Sequence, residues 1–313
     1  MITFGPVPSR RLGYSLGVNH IPPKHCTYSC VYCQVGRTTY LEVTRREFFP
    51  VQEILNEVNQ SIKRAEESKR KIDFITLVPD GEPTLDIHLG ELIRELKQFN
   101  TPIAVISNAS LIDRQDVQQE LMQADWVSLK VDSVNEETWR KINRPHGSLK
   151  LRNILNGMMK FKREFSGELV TETLLVSGIN DHENEISDLL NFLLELQPFK
   201  SYLSIPTRPP AESWVKPPDA ETLQRILHQV EQKVTFIDLL FEAEEDDFSS
   251  TGDLLEDILS TTAVHPIRES ALKRMVERAN ADWNRVESFV QTGKLTRISY
   301  RGVHFYLPGN RRS

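Results

Sequence analysis

The sequence predicts an α/β fold built on a parallel sheet, because strand-like and helix-like segments alternate along the first two thirds of the chain. Short apolar runs that end near glycine, proline or polar residues predict six strands. Amphipathic stretches between them predict helices. Six such units suit a partial (βα)6 barrel, and a doubly wound open sheet would give the same periodicity.

Each element has its own local signal. The predicted strands are, in chain order, YSLGVN, DFITLVP, PIAVIS, WVSLKVD, ELVTETLLV and SYLSI. The helices predicted between them are VQEILNEVNQSIKRAEES, LGELIRELKQF, RQDVQQELMQ, LRNILNGMMKFKREF and NEISDLLNFLLEL. In the first helix, Val51, Ile54, Leu55, Val58 and Ile62 recur at helical spacing and form one apolar stripe.

The proline-rich stretch PTRPPAESWVKPP marks the predicted domain boundary, giving a barrel domain at 1–215 and an accessory domain at 216–313. The accessory domain opens with a helix, AETLQRILHQVEQKV, and a candidate strand, TFIDLLFEA. A loop with the acidic run Glu244–Asp247 follows, and we expect it to be solvated.

From about 251 to 313, three short helices precede two strands, KLTRISY and VHFYLP, that turn at Arg301 and Gly302. This order predicts a winged-helix-like module, which could contact duplex nucleic acid or another protein. Ten Lys or Arg against seven Asp or Glu make only a weak basic excess there. Four aromatic residues are expected to form its small core: Trp283, Phe289, Phe305 and Tyr306.

The composition favours a cytoplasmic protein. The net charge is −6 at a pI near 5.8, so there is no global attraction to nucleic acid or to an anionic membrane. No apolar run approaches the roughly 20 residues of a spanning helix, and the start lacks a signal-peptide pattern.

All three cysteines lie within the stretch HCTYSCVYC, as Cys26, Cys30 and Cys33. An odd number in a reducing compartment argues against a disulfide framework. A redox pair, or zinc with His25 or His20 as fourth ligand, remains an alternative. A three-thiolate iron-sulfur cube would leave one iron open to bind a substrate or cofactor directly.

The spacing Cys26-x3-Cys30-x2-Cys33, with Tyr32 before the last cysteine, resembles the signature of the radical S-adenosylmethionine (SAM) superfamily. The resemblance implies a partial (βα)6 barrel, a [4Fe-4S] cluster on the three thiolates and Tyr32 packed beside it. It also implies that SAM chelates the fourth iron and is reductively cleaved to a 5'-deoxyadenosyl radical, which abstracts hydrogen from a substrate.

The opening GPVPSRRLGYSLGVN is similar to that of a group of iron-sulfur oxidoreductases related to the enzyme that builds wybutosine in transfer RNA. The matching stretches run from about Phe4 to about Arg208. This kinship leaves three substrate classes open: a nucleotide in RNA, a small molecule or a partner protein. It also implies an electron donor such as flavodoxin or ferredoxin.

Candidate ligand residues follow the predicted strands, where parallel sheets place their chemistry. GEPTL, with Gly81 and Glu82, is similar to the family motif that holds the amino group of SAM, although Asp80 replaces the usual first glycine. SNAS is similar to a segment in which Ser107 and Asn108 would contact the sugar or carboxylate of SAM. Capping of the next helix is the alternative.

Five further positions have two interpretations each. Arg10 and Arg11 could bind a phosphate or a carboxylate through two nitrogens near the cluster, or they could be solvated. Gly178 could approach the adenine of SAM or serve as a turn glycine. Lys130 and Asp132, two residues apart, could form a structural ion pair or contact the substrate. The alternative function for the whole chain is an iron-sulfur sensor that uses its C-terminal module to bind nucleic acid or protein.

Overall fold

An eight-stranded sheet forms the centre of the computed structural model, which describes residues 2–240, 254–264, 266–300 and 302–309. The strands are β1 (Thr3–Ser9), β2 (Gly13–Val18), β3 (His25–Cys26), β4 (Tyr40–Leu41), β5 (Phe74–Leu77), β6 (Ile103–Ser107), β7 (Trp126–Lys130), β8 (Glu168–Leu174), β9 (Lys200–Ser204), β10 (Ile237–Leu240), β11 (Ile267–Arg268), β12 (Leu295–Tyr300) and β13 (Val303–Pro308). The helices are α1 (Val51–Glu67), α2 (Leu89–Leu96), α3 (Gln115–Leu121), α4 (Glu136–Asn143), α5 (Leu151–Glu164), α6 (Glu183–Leu196), α7 (Ala220–Lys233), α8 (Leu254–Val264), α9 (Glu269–Arg278) and α10 (Asn284–Gln291).

The strand order of the large sheet is β1-β2-β5-β6-β7-β8-β9-β10. Strands β2 to β10 in this order run parallel, and β1 is antiparallel to β2. All six predicted strands are present, and the candidate strand TFIDLLFEA contains β10. The order follows the chain without the reversal that defines a doubly wound sheet, so that alternative is wrong.

Four elements of this region were not predicted: strand β1, the two-residue strands β3 and β4, and helix α4. Strand β1 contains Pro6 and Pro8, which suit an edge strand but weaken its sequence signal. Helix α4 is capped by Asn135, whose side chain accepts from the backbone N–H groups of Glu137 and Thr138 at 2.9 and 3.2 Å.

The two faces of the sheet have different partners because successive side chains of a strand alternate. Ile75, Val105 and Val127 pack into the main core with the apolar faces of the helices. The opposite face, called the inner face below, carries a separate apolar cluster that includes Trp126 and Val170.

At the carboxyl ends of the strands the inner face becomes polar. The register pairs Lys130 with Glu172, and Leu174 with Ser204, on neighbouring strands. These residues therefore share one face at the edge of the sheet where α/β proteins place their chemistry.

The C-terminal elements α8 to β13 build a second core, and their small antiparallel sheet has the order β11-β13-β12. The three helices and the hairpin occur as predicted; the short strand β11 was missed. Phe305 and Tyr306 are buried, and Trp283 and Phe289 pack against the same core. Of the predicted turn, Gly302 has φ +76°, and Arg301 lies outside the described residues.

The proline-rich stretch contacts this C-terminal region. Arg268 Nη2 donates to the carbonyl of Thr207 at 3.3 Å, and the Tyr300 hydroxyl donates to that of Pro206 at 3.5 Å. The boundary near residue 215 stays a prediction, and the acidic run Glu244–Asp247 lies outside the described ranges. Among the helices that are described, none combines the length and apolarity needed to cross a bilayer.

Candidate active site

The cysteine loop follows strand β2 and is fixed to distant parts of the chain. Cys26 lies on β3, and all three cysteines are partly buried and form no disulfide. The backbone N–H of Val31 donates to the carbonyl of Ile142 at 2.9 Å, and the Val31 carbonyl accepts from the N–H of Glu212 at 3.0 Å. The loop geometry is therefore set by residues far along the sequence.

Two asparagine side chains donate to cysteine sulfurs. Asn108 Nδ2 lies 3.4 Å from Cys26 Sγ, and Asn143 Nδ2 lies 3.3 Å from Cys30 Sγ. Amide donors of this kind stabilise negative charge on sulfur and tune iron-sulfur sites.

Burial favours the protonated form of the Cys26 and Cys30 thiols. Desolvation raises the pKa of Cys30 to about 12, aided by the charge of Asp132. Desolvation likewise raises the pKa of Cys26 well above its ordinary value, and the charge of Glu82 adds to the effect. A positively charged metal group is what would let such thiols ionise, so the donor set fits a cluster.

Neither histidine near the loop groups with the cysteines. His25 stacks on Tyr40, and its Nδ1 lies 2.6 Å from Glu42 Oε1. His20 is fully buried, and its Nε2 lies 3.4 Å from the carbonyl of Pro83. In the described ranges no three His, Cys, Asp or Glu side chains converge on a single metal ion. A [4Fe-4S] cube instead binds each thiolate at a separate iron.

Glu82 is the most completely bonded carboxylate of the site. Its Oε1 accepts from Thr84 N at 3.1 Å, Thr84 Oγ1 at 2.7 Å and Ser107 Oγ at 2.7 Å. Its Oε2 accepts from Asn108 N at 2.8 Å. All four donors are neutral, and no ion pair to Glu82 occurs among the described side chains. Burial raises the pKa of Glu82, against the effect of these hydrogen bonds.

Gly81 allows this arrangement by its lack of a side chain. A Cβ at residue 81 would lie 2.0 Å from the carbonyl oxygen of His25. That close approach lets the backbone N–H of Glu82 donate to the same carbonyl at 3.1 Å. The glycine therefore joins the loop after β5 directly to the cysteine loop.

Ser107 and Asn108 connect Glu82 to Cys26 and do not cap the next helix. Helix α3 begins at Gln115 with Arg114 as its N-cap, so the capping alternative is wrong. Besides its contacts to Cys26 and Glu82, Asn108 donates from Nδ2 to Thr27 Oγ1 at 2.7 Å.

Tyr32, Lys130 and Asp132 form one network beside Cys30. The Tyr32 hydroxyl donates to Asp132 Oδ2, and Asn143 Nδ2 donates to the same oxygen at 2.6 Å. Lys130 Nζ lies 3.6 Å from Asp132 Oδ1 and 4.9 Å from the Tyr32 ring centroid. Burial opposes the charge on Lys130, but Asp132, Glu172 and Cys30 outweigh it and raise the Lys130 pKa. The ion pair between Lys130 and Asp132 is thus present, and contact with a substrate stays a prediction.

Gly178 has φ +72°, and its N–H donates to Asp181 Oδ1 at 2.9 Å. These observations support the turn interpretation. Within the part of the chain that the structure describes, nothing lies within 4 Å of a Cβ placed at residue 178, so the space beside it is open. Contact with adenine stays a prediction.

The site also contains two residues that were not singled out from the sequence, Asn143 and Glu212. Asn143 lies in SLKVDSVNEETWRKINRPH, a stretch that resembles a segment after the fourth strand in related enzymes, and Glu212 lies in the proline-rich stretch. Arg11, one of the two arginines named as candidate anion-binding residues, donates to Glu172, which was not predicted, and both line a cavity of about 330 Å³ together with Tyr32 and Cys33. Pairing between positions 11 and 172 depends on sheet register, which local sequence does not contain.

The parallel sheet with a three-cysteine loop after its second strand is the α/β fold expected of a partial barrel. The chain belongs to the radical SAM superfamily, which residues 21–191 match. It is 45% identical to a UPF0026 protein of Methanocaldococcus jannaschii over 98% of this chain and 95% of that protein. Members of the superfamily are enzymes that use a [4Fe-4S] cluster and SAM.

Two other comparisons are informative. The crystal structure of a radical SAM methyltransferase from Sphaerobacter thermophilus aligns with a TM-score of 0.56 at 18% identity, covering 74% of this chain and 67% of that one. That likeness shows a shared α/β fold. An S-adenosylmethionine-dependent nucleotide dehydratase of Flammeovirga pacifica is 26% identical over 46% of this chain and 48% of its own length.

Proposed function

We propose that Cys26, Cys30 and Cys33 ligate a [4Fe-4S] cluster and that the protein uses it to cleave SAM and abstract hydrogen from a substrate. The cluster would supply the electron for cleavage and an open iron for SAM. The electron would come from a small carrier such as flavodoxin or ferredoxin. The 313 residues hold no further cysteine for a second cluster with the usual thiolate ligands.

The main support for this proposal is the burial of Glu82 among neutral hydrogen-bond donors. It is a carboxylate 1% exposed, next to the cysteine loop, whose hydrogen bonds come only from neutral groups. A buried charge of this kind is stabilised most by a cation. The ammonium group of SAM would be that cation, with Glu82 as its acceptor.

Ser107 and Asn108 would act around the same end of SAM. Ser107 holds Glu82 Oε1, while Asn108 touches both Glu82 and the sulfur of Cys26. One asparagine therefore couples the SAM-binding carboxylate to a cluster ligand. Tyr32 would pack beside the cluster, and Gly178 would leave room for the adenine.

Lys130 and Asp132 would act as positioning residues. Asp132 joins Tyr32 to Asn143, and Asn143 donates to Cys30. Lys130 neutralises part of the charge of Asp132 from 3.6 Å. Their network would hold the last half of the cysteine loop in place.

The substrate we propose is a nucleotide, free or within RNA. The similarity to a nucleotide dehydratase supports the nucleotide class. A winged-helix assignment for α8 to β13, supported by their helix and strand order, would suit RNA. RNA binding through phosphates would weaken steeply with salt, whereas binding of a small molecule or partner protein need not.

The test is release of 5'-deoxyadenosine from SAM by anaerobically reconstituted, reduced protein, with and without bulk transfer RNA. Release that disappears in Cys30→Ala supports the radical reaction, and stimulation by RNA supports an RNA substrate. Iron loading without SAM cleavage under every reductant would instead favour the sensor. Loading of zinc and not iron would contradict the proposal.

A further inference from the structure

We propose that the cavity beside Cys33 is the substrate pocket and that it recognises a small substrate through an anionic group, either a phosphate or a carboxylate. This inference rests on the proposed function, because it takes Cys33 to be a cluster ligand. The cavity holds about 330 Å³, the lower end of the roughly 300–1,000 Å³ common for small-molecule sites. It therefore suits one small molecule or one extruded nucleotide, not a nucleic-acid duplex.

The position of the cavity follows from the sheet register. Lys130, Glu172 and Ser204 line it from the carboxyl ends of β7, β8 and β9, on the inner face. Cys33 and Tyr32 of the cysteine loop also line it. A substrate held there lies against both the sheet edge and the loop that would carry the cluster.

The charges of the residues that line the cavity favour an anionic substrate. Four cationic side chains line the cavity, namely Arg10, Arg11, Lys130 and Arg208, against the carboxylates of Asp80 and Glu172. The described lining thus has a formal excess of two positive charges, which falls to one when Asp132, 3.6 Å behind Lys130 Nζ, is included. Arg208 is only 6% exposed and Lys130 is held between two acidic groups, so these cations are built into the fold.

The cavity is separate from the groups proposed to hold the amino end of SAM. Glu82, Ser107 and Asn108 do not belong to its lining. SAM brings a single carboxylate, beside the amino group that Glu82 would hold, and its adenosyl sulfonium part adds no negative charge to the wall of this cavity. An anionic substrate uses the four cations as charge-assisted donors, with the planar arginines able to bind phosphate or carboxylate through two nitrogens.

The experiment measures binding of inorganic phosphate and of malonate to the reconstituted full-chain protein by anaerobic calorimetry. We expect at least one of them to bind, and Arg10→Gln or Arg11→Gln to weaken that binding about 10-fold or more. Arg11→Lys should recover part of the loss. Arg163→Gln, on the exposed side of α5, is the matched control and should bind like wild type.

Each outcome is informative. Tighter phosphate binding identifies a phosphate substrate, and tighter malonate binding a carboxylate one. Absence of binding for both probes in wild type, or equal binding in all variants, overturns the pocket. Weakened SAM binding in Arg10→Gln would mean that the arginines hold the SAM carboxylate, which also overturns it. SAM cleavage is assayed separately, so arginine-dependent anion binding without SAM cleavage refutes the proposed reaction alone.

Discussion

Replacement of Glu82 by glutamine tests the proposed SAM contact with little change in shape. Glutamine keeps one oxygen for Thr84 and Ser107 but turns an NH₂ group toward the backbone N–H of Asn108, which now donates to Oε2 at 2.8 Å. One buried hydrogen bond is lost, at about 1–3 kcal/mol of unfolding free energy. Removing a buried charge whose pKa is raised offsets part of that loss.

The effect on SAM binding should be larger than the effect on folding. Loss of a charge-assisted hydrogen bond worth about 1.5–3 kcal/mol corresponds to a roughly 10- to 150-fold rise in Kd. Equilibrium dialysis of labelled SAM against cluster-loaded protein measures it. Ser107→Ala is the matched control because it removes one donor to Oε1 and keeps the charge. We expect it to raise Kd less than about 10-fold.

Two results would contradict a charged contact between Glu82 and SAM. If Glu82→Gln retains its cluster absorbance and binds SAM within about threefold of wild type, the carboxylate does not hold the amino group. If Ser107→Ala weakens SAM binding as much as Glu82→Gln does, the hydrogen-bond network matters and the charge does not.

Three further predictions concern the cluster and the fold. Gly81→Ala forces a methyl against the His25 carbonyl, so urea unfolding should show a loss of about 1–3 kcal/mol and iron content should fall. Burial raises the Asp86 pKa to about 6, so ionisation of Asp86 lowers the free energy of unfolding as pH rises from 4 to 6. Relative to wild type, the free energy of unfolding of Asp86→Asn should therefore be unchanged at pH 4 and higher by up to about 3 kcal/mol at pH 7, as measured by unfolding curves. Asn143→Leu removes a donor to the Cys30 sulfur, so the midpoint potential of the cluster should fall in redox titrations. The expected fall is about 40 mV for each kcal/mol by which the lost hydrogen bond had favoured the reduced cluster. An unchanged potential would show that Asn143 does not tune the cluster.

Most strands and helices could be predicted from the sequence because strand and helix periodicities are local features of it. The six strands from β2 to β9 in the large sheet each carry an apolar run with a turn signal. Periodicity left barrel and doubly wound orders open, since strand neighbours are chosen by tertiary packing. The edge strand β1 was missed because two prolines obscure it.

The residues of the site likewise fall into those that short motifs identify and those that only the folded structure brings in. Cys26, Cys30, Cys33 and Glu82 lie in short motifs, so the sequence identifies them. Asn143 reaches Cys30 from 113 residues away. Such contacts depend on how helices and loops pack, and no pattern within a short window encodes them.

The anchoring of the cysteine loop has a consequence for biosynthesis. Arg37, just beyond the cysteines, is held by two hydrogen bonds of 3.0 Å to the carboxylate of Glu212. At 5–20 residues per second, the roughly 180 residues between Cys33 and Glu212 take about 10–40 s to translate. During that time the thiols have left the ribosome without the surroundings that shield them. The contacts that hold the cysteine loop in place are therefore complete only after residue 212 has emerged, and until then oxidants reach the thiols more easily.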